Sequence, residues 1–199
     1  VRFHASSAFG RIVSSANVVD FPDARTGKLR SVVIFGGGSS VWALDAATGA
    51  ELAMQDLDPR TPALRKKQES TATPPTVEVE SSPAVAIVGG RQRIFVGFDT
   101  HNQAHVGRTG LVSLELTSDR LGHWRFDPIF KYDVETTHTY YGVAGLTVGS
   151  GQGWGCGGVW SSPALDPSGS TVAFGTARCD FPDKAYAAGK IPGGFIKRE

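Results

Sequence analysis

Internal repetition constrains this chain more than any other feature. One unit recurs three times: a Ser-Ser pair leads into an apolar strand, a turn follows, and a second apolar strand closes on glycine. The first copy opens at Ser14-Ser15, turns between Pro22 and Lys28, and ends at Val32-Val33-Ile34-Phe35-Gly36. The second opens at Ser81-Ser82-Pro83, turns through Gly89-Gly90-Arg91, and ends at Ile94-Phe95-Val96-Gly97. The third opens at Ser161-Ser162-Pro163, turns through Pro167-Ser168-Gly169, and ends at Val172-Ala173-Phe174-Gly175. Short apolar runs joined by Gly, Pro, Ser and Asp are β-hairpins, because those residues adopt the backbone conformations that reverse a strand. In the first two copies a third strand follows, Val41 to Asp45 and Leu111 to Glu115, and a fourth is clearest at Gly122 to Phe126. Four antiparallel strands per unit, repeated, predict an all-β chain built as a β-propeller of four-stranded blades. A β-sandwich is the alternative.

Composition agrees with many short strands. The 199 residues include 25 Gly and 11 Pro, which interrupt long helices, and 40% are hydrophobic, enough to bury a core. No apolar run approaches the roughly 20 residues that a membrane-spanning helix needs. Twenty Lys and Arg against 19 Asp and Glu leave a formal charge of +1, so nucleic acid is not an expected partner: little net charge is available to displace counterions from phosphates. The chain opens Val1-Arg2-Phe3-His4, without initiator Met or leader, which reads as a processed or excised piece.

The Ser-Ser pairs lie farther apart than the roughly 40–50 residues of common propeller repeats. We therefore expect repeats near 14–54, 81–126 and 160–199, separated by insertions at 55–80 and 127–158. The first insertion, polar and Pro-bearing, reads as a solvated loop. The second carries Tyr140-Tyr141-Gly142 and the Gly-rich 149–158, which reads either as a pocket rim or as a packed loop. The third unit stops where its third strand should start, so the chain covers about two and a half blades of a larger ring, and an incomplete ring exposes strand edges. The remainder of the propeller, from another segment or chain, is the expected partner.

Other constellations carry less chemistry. Gly36-Gly37-Gly38 precedes a strand, whereas a phosphate loop needs a helix N-terminus after it, so a turn is expected. His101, His105, His123 and His138 share no metal-ligand spacing, and the serine pairs recur with the repeat, which makes them structural.

Val41-Trp42-Ala43-Leu44-Asp45-Ala46-Ala47-Thr48-Gly49-Ala50-Glu51-Leu52 resembles the blade signature of pyrroloquinoline-quinone-type propellers. Ala53 stands where that signature has a blade-locking Trp, and Trp124 is the expected substitute in the next blade. Cys156-Gly157-Gly158-Val159-Trp160-Ser161-Ser162-Pro163-Ala164-Leu165-Asp166 is similar to the quinoprotein alcohol dehydrogenases, including their polyvinyl alcohol dehydrogenase-like branch. The resemblance implies that Trp160 is the floor on which the quinone stacks; periodicity alone reads Trp160 as a core or blade-packing side chain. It further places Arg178, in Gly175-Thr176-Ala177-Arg178, where the family has a calcium-ligating Asn, and His105 loosely where it has a Glu. Arginine has five donors and no acceptor, and imidazole suits calcium poorly, so calcium is disfavoured and no metal ligand is assigned.

Two functions follow as expectations. One is a segment of a quinone-dependent dehydrogenase, with pyrroloquinoline quinone as cofactor and Trp160, Arg178 and His105 as its contacts. The other is a non-catalytic propeller that binds a small molecule or protein on the same face. Strand register adds a last expectation: a turn centred near Ser168 places Cys156 opposite Cys179, at the roughly 5.5 Å Cα separation that a disulfide accepts. Such a bond implies a secreted or periplasmic protein.

Overall fold

Period-two alternation in the apolar runs sorts the strands into two faces. The computed structural model describes residues 9–58, 77–99, 110–133, 159–166 and 171–175. Strands β1 (Asn17–Asp23), β2 (Lys28–Gly37), β3 (Ser40–Asp45) and β4 (Glu51–Asp56) form one antiparallel sheet in chain order. Strands β5 (Ala84–Val88), β6 (Arg91–Phe98), β7 (Gly110–Ser118) and β8 (Trp124–Asp133) repeat that order in a second sheet. Strands β9 (Ala164–Leu165) and β10 (Val172–Ala173) form a third hairpin, paired Leu165 to Val172 and Ala164 to Ala173. The chain is all-β, and no helix among the described residues is long and apolar enough to cross a membrane.

Turn chemistry sets these hairpins. Gly89 and Gly90 have φ of 59° and 79°, the left-handed pair that lets a two-residue turn follow the twist of its strands. At the β1–β2 and β3–β4 turns the work is done by aspartates. Asp23 accepts from the N–H groups of Arg25 and Thr26 at 2.9 and 3.4 Å, and Asp45 from those of Ala47 and Thr48 at 3.0 and 2.8 Å. The Gly36-Gly37-Gly38 run ends β2 and opens the turn into β3, with Gly38 at φ 56°.

One apolar face of each four-stranded sheet enters a shared core. The first sheet supplies Phe21, Val32, Ile34, Val41, Ala43 and Ala53, all buried. The second meets them with Ile94, Val96, Phe98, Val112, Leu114 and Phe126. Burying each large apolar side chain contributes roughly 1.5–3 kcal/mol, so this contact dominates the fold. Polar bridges fix its register: Gln92 donates to the Asp20 carbonyl at 2.9 Å, and Ala24 N–H to the Ser118 hydroxyl at 2.8 Å. At the outer end of the core, the Arg30 guanidinium sits 5.9 Å from the Trp124 ring centroid and pairs with Asp23 and Asp45 at 3.5 and 3.6 Å. The opposite face of the first sheet gathers Val33, Phe35, Trp42 and Leu44, with Phe9 edge-on to Phe35 and Trp42 at 5.4 and 4.9 Å.

Two expectations need adjustment. The stretch ending at Val79 is not wholly a solvated loop: Val77 and Val79 are buried in the shared core, because alternation about Glu78 turns both inward. The second insertion starts later than residue 127, since β8 continues to Asp133. Trp124 is buried in the shared core. Residues 59–76 and 134–158 lie outside the described residues.

Candidate ligand-binding face

The segments that lead into the second and third units run over the glycine ends of the preceding sheets. Gly36 has no side chain because Val79 occupies the space: a Cβ there would fall 2.5 Å from Val79 Cγ1 and 2.5 Å from Val79 O. The same device recurs at Gly97, where a Cβ would fall 2.3 Å from Val159 Cγ1 and 2.4 Å from Val159 O. The Val79 N–H donates to the Gly38 carbonyl at 2.8 Å. Glu78 and Asp99 exchange both backbone hydrogen bonds, at 2.9 and 3.0 Å, so one chain segment joins two sheets.

Serine pairs complete the joint. The Ser14 hydroxyl accepts from Gly36 N–H at 2.8 Å and donates to Gly36 O at 2.9 Å. Ser161 does the same at Gly175, at 3.1 and 3.3 Å. The second serine links units, since Ser15 N–H donates to the Ser82 hydroxyl at 2.8 Å. These hydroxyls satisfy strand-end backbone, which agrees with a structural reading of the repeated serines.

The side chains brought to this end are Arg11, Glu78, Asp99 and Trp160. Arg11 lies 3.5 Å from Glu78. Asp99 is 3% exposed, and its carboxylate accepts the indole N–H of Trp160. Trp160 is 50% exposed, which removes it from the core that periodicity assigned to it. The physical reason is its register: Val159 takes the inward position on Gly97, and the next residue must point outward. An N–H given to a buried carboxylate is a charge-assisted bond, which fixes the indole and enriches its π-system. A half-exposed, anchored and electron-rich ring is suited to stacking on a flat, electron-poor partner, offset or edge to face.

Sequence reasoning missed Asp99 and Glu78. Neither lies in a recognisable motif; the one available signal is that Asp99 stands two residues after the repeat glycine Gly97, at the strand end where the next unit crosses. His105, Arg178, Cys156 and Cys179 lie outside the described residues. No group of three His, Cys, Asp or Glu that could hold a metal occurs among the described residues. No family profile, curated protein or solved structure matches the chain.

Proposed function

We propose that the chain is a segment of an exported quinoprotein-like β-propeller, each four-stranded sheet a blade, whose face binds a flat, electron-poor ligand of the pyrroloquinoline quinone class on Trp160. The blade reading draws its support from repetition: two sheets share one strand order, and each is capped at its repeat glycine by a valine from the next unit. The binding reading is carried by one observation, the half-exposed indole of Trp160 tethered to the buried Asp99 carboxylate.

The described residues fit such a ligand. Its ring system would lie on Trp160, and its negative charge would not confront Asp99 directly, because that carboxylate is buried and engaged by the indole. The side chain of Arg11, 66% exposed, lies at the same end, paired with Glu78 at 3.5 Å. The quinone would bring the redox chemistry; Trp160 would bind and orient it, and Asp99 would hold Trp160.

A non-catalytic binding propeller is the second reading. It is favoured by Arg178, which stands where the quinoprotein family carries a calcium-ligating oxygen and which offers donors only. Titration of the protein with pyrroloquinoline quinone, followed by tryptophan fluorescence, tests the shared claim of both. Saturable quenching is expected, weakened roughly tenfold in Trp160→Ala, which corresponds to about 1.4 kcal/mol. Alcohol-dependent dye reduction by the loaded protein then separates enzyme from binder. Absence of saturable binding rejects the quinone ligand.

A further inference from the structure

Two turns from different sheets meet at the strand ends opposite Trp160. The β1–β2 turn, Ala24 to Gly27, lies against Asp119 to His123, which joins β7 to β8. Ala24 N–H donates to the Ser118 hydroxyl at 2.8 Å, and a Cβ at Gly122 would fall 2.9 Å from Arg25 Cδ. The two most exposed large apolar side chains among the described residues sit in this joint: Leu121 is 76% exposed and Leu29 69%. Neither is required by its turn. Leu121 contributes its main chain, donating N–H to Asp119 Oδ1 at 2.8 Å, and Gly122, at φ 91°, completes the reversal. Three cations flank the leucines. Arg25, Lys28 and Arg120 are exposed, and none pairs with an acid among the described residues. The acids of the same turns are engaged: Asp23 is 2% exposed and pairs with Arg30, and Asp119 holds its own turn amides and lies 3.0 Å from His123 Nδ1.

We propose that these joined turns dock the protein on the surface of an anionic lipid bilayer, with Leu121 and Leu29 entering the boundary between headgroups and acyl chains and Arg25, Lys28 and Arg120 lying among the lipid phosphates. Charge complementarity selects the occupant. Uncompensated cations around protruding apolar side chains match a surface that is negative outside and apolar just beneath. A polyanion free in water would engage the cations and leave both leucines in water, and a neutral apolar partner would leave the cations without counter-charges. Exposed apolar surface rimmed by charge is also where membrane contacts are found on folded domains. The contact needs no membrane-spanning segment. It is separate from the quinone reading, because β2 runs from these turns toward Gly36 and Val79, and Asp99 with Trp160 lies at that far end.

Co-sedimentation of the full chain with vesicles tests it, using phosphatidylcholine alone and phosphatidylcholine mixed with an equal part of phosphatidylglycerol. Binding to the mixed vesicles is expected, at least tenfold tighter than to phosphatidylcholine. Leu121→Ser and Leu29→Ser change exposed side chains and should keep the circular dichroism spectrum. Each should weaken binding to the mixed vesicles roughly tenfold, the value of an apolar side chain returned to water. Lys28→Gln and Arg120→Gln should each weaken it roughly fivefold, as expected for one cation near an anionic surface. A wild type that leaves the mixed vesicles in the supernatant overturns the proposal. Equal binding to both vesicle types overturns it as well. If the charge variants weaken binding and both leucine variants match wild type, the patch is a polyanion site and the bilayer is rejected. Quinone quenching measured on Leu121→Ser should equal that of wild type, which keeps failure here distinct from failure at Trp160.

Discussion

Gly36→Ala probes the joint between the two sheets with a single methyl group. The added Cβ would lie 2.5 Å from Val79 Cγ1, 2.5 Å from Val79 O and 3.1 Å from Val79 Cβ, against a relaxed carbon–carbon separation of about 3.5–4.0 Å. Rotating the valine cannot relieve this, because its carbonyl oxygen is struck too. Backbone strain is not the issue: Gly36 does not belong to the positive-φ glycines, and alanine at such a position would by itself stabilise by about 0.4–1 kcal/mol. Overpacking of a buried contact costs about 1–3 kcal/mol, and a clash with main chain lies toward the upper end. A net loss of about 2 kcal/mol is predicted. At roughly 2–4 °C per kcal/mol for a chain of this size, Tm should fall by about 4–8 °C. Thermal unfolding of Gly36→Ala, Val79→Ala and the double variant measures it. Val79→Ala alone should cost roughly 2 kcal/mol from two lost methyls and the space they leave. The double variant should be less destabilised than the sum by at least about 0.5 kcal/mol, since one clash disappears and the carbonyl clash stays. An unchanged Tm in Gly36→Ala, or strict additivity, would refute the close approach on which the stacking argument stands.

Three further outcomes follow from particular residues. Trp42 donates its indole N–H to the buried Gly37 carbonyl at 3.1 Å, so Trp42→Phe should lower stability by about 1–3 kcal/mol in urea unfolding, and an unshifted midpoint would dismiss that bond. Burial pushes the carboxyls of Asp23 and Asp45 up, but donors in their turns and the charge of Arg30 outweigh it and hold both below the ordinary value. A depressed folded pKa stabilises above the unfolded pKa near 3.9, and that contribution is lost as pH falls through the folded value. The urea midpoint should therefore drop below about pH 4 and drop less in Asp45→Asn; equal slopes in both proteins would contradict the assignment. Titration of the denatured, unreduced protein should find no reactive thiol if Cys156 and Cys179 are bonded, whereas two reactive thiols would reject the bridge and the export argument built on it.

Much of the fold is legible in the sequence because its signals are local. Serine pairs, turn glycines and alternating Val, Ile and Phe mark both edges of β1, β2, β5 and β6 within a few residues. Val77 and Val79 were hidden, because a V-x-V pair behind a polar, Pro-bearing stretch has too short a period to announce burial; only the cavity above Gly36 gives it meaning. Phe9 was hidden for a similar reason, since it packs on Phe35 and Trp42 from irregular chain. The site was less legible than the fold. Trp160 stood out as an aromatic beside a repeat boundary, but whether it faces core or solvent depends on which neighbour fills Gly97. Asp99 becomes relevant only when two units far apart in sequence are stacked.

Nuclear magnetic resonance of the indole N–H protons reads Trp160, the proposed anchored stacking ring, directly. The chain has four Trp residues, so the Trp160 resonance can be assigned by its loss in Trp160→Phe. Before ligand is added it should lie downfield of the other indoles, as a donor to carboxylate, and it should move upfield in Asp99→Asn. Adding pyrroloquinoline quinone should shift the Trp160 resonance saturably and leave that of the buried Trp42 in place. A Trp160 resonance unmoved by saturating quinone, or shifts spread equally over Trp42 and Trp160, would contradict the central claim.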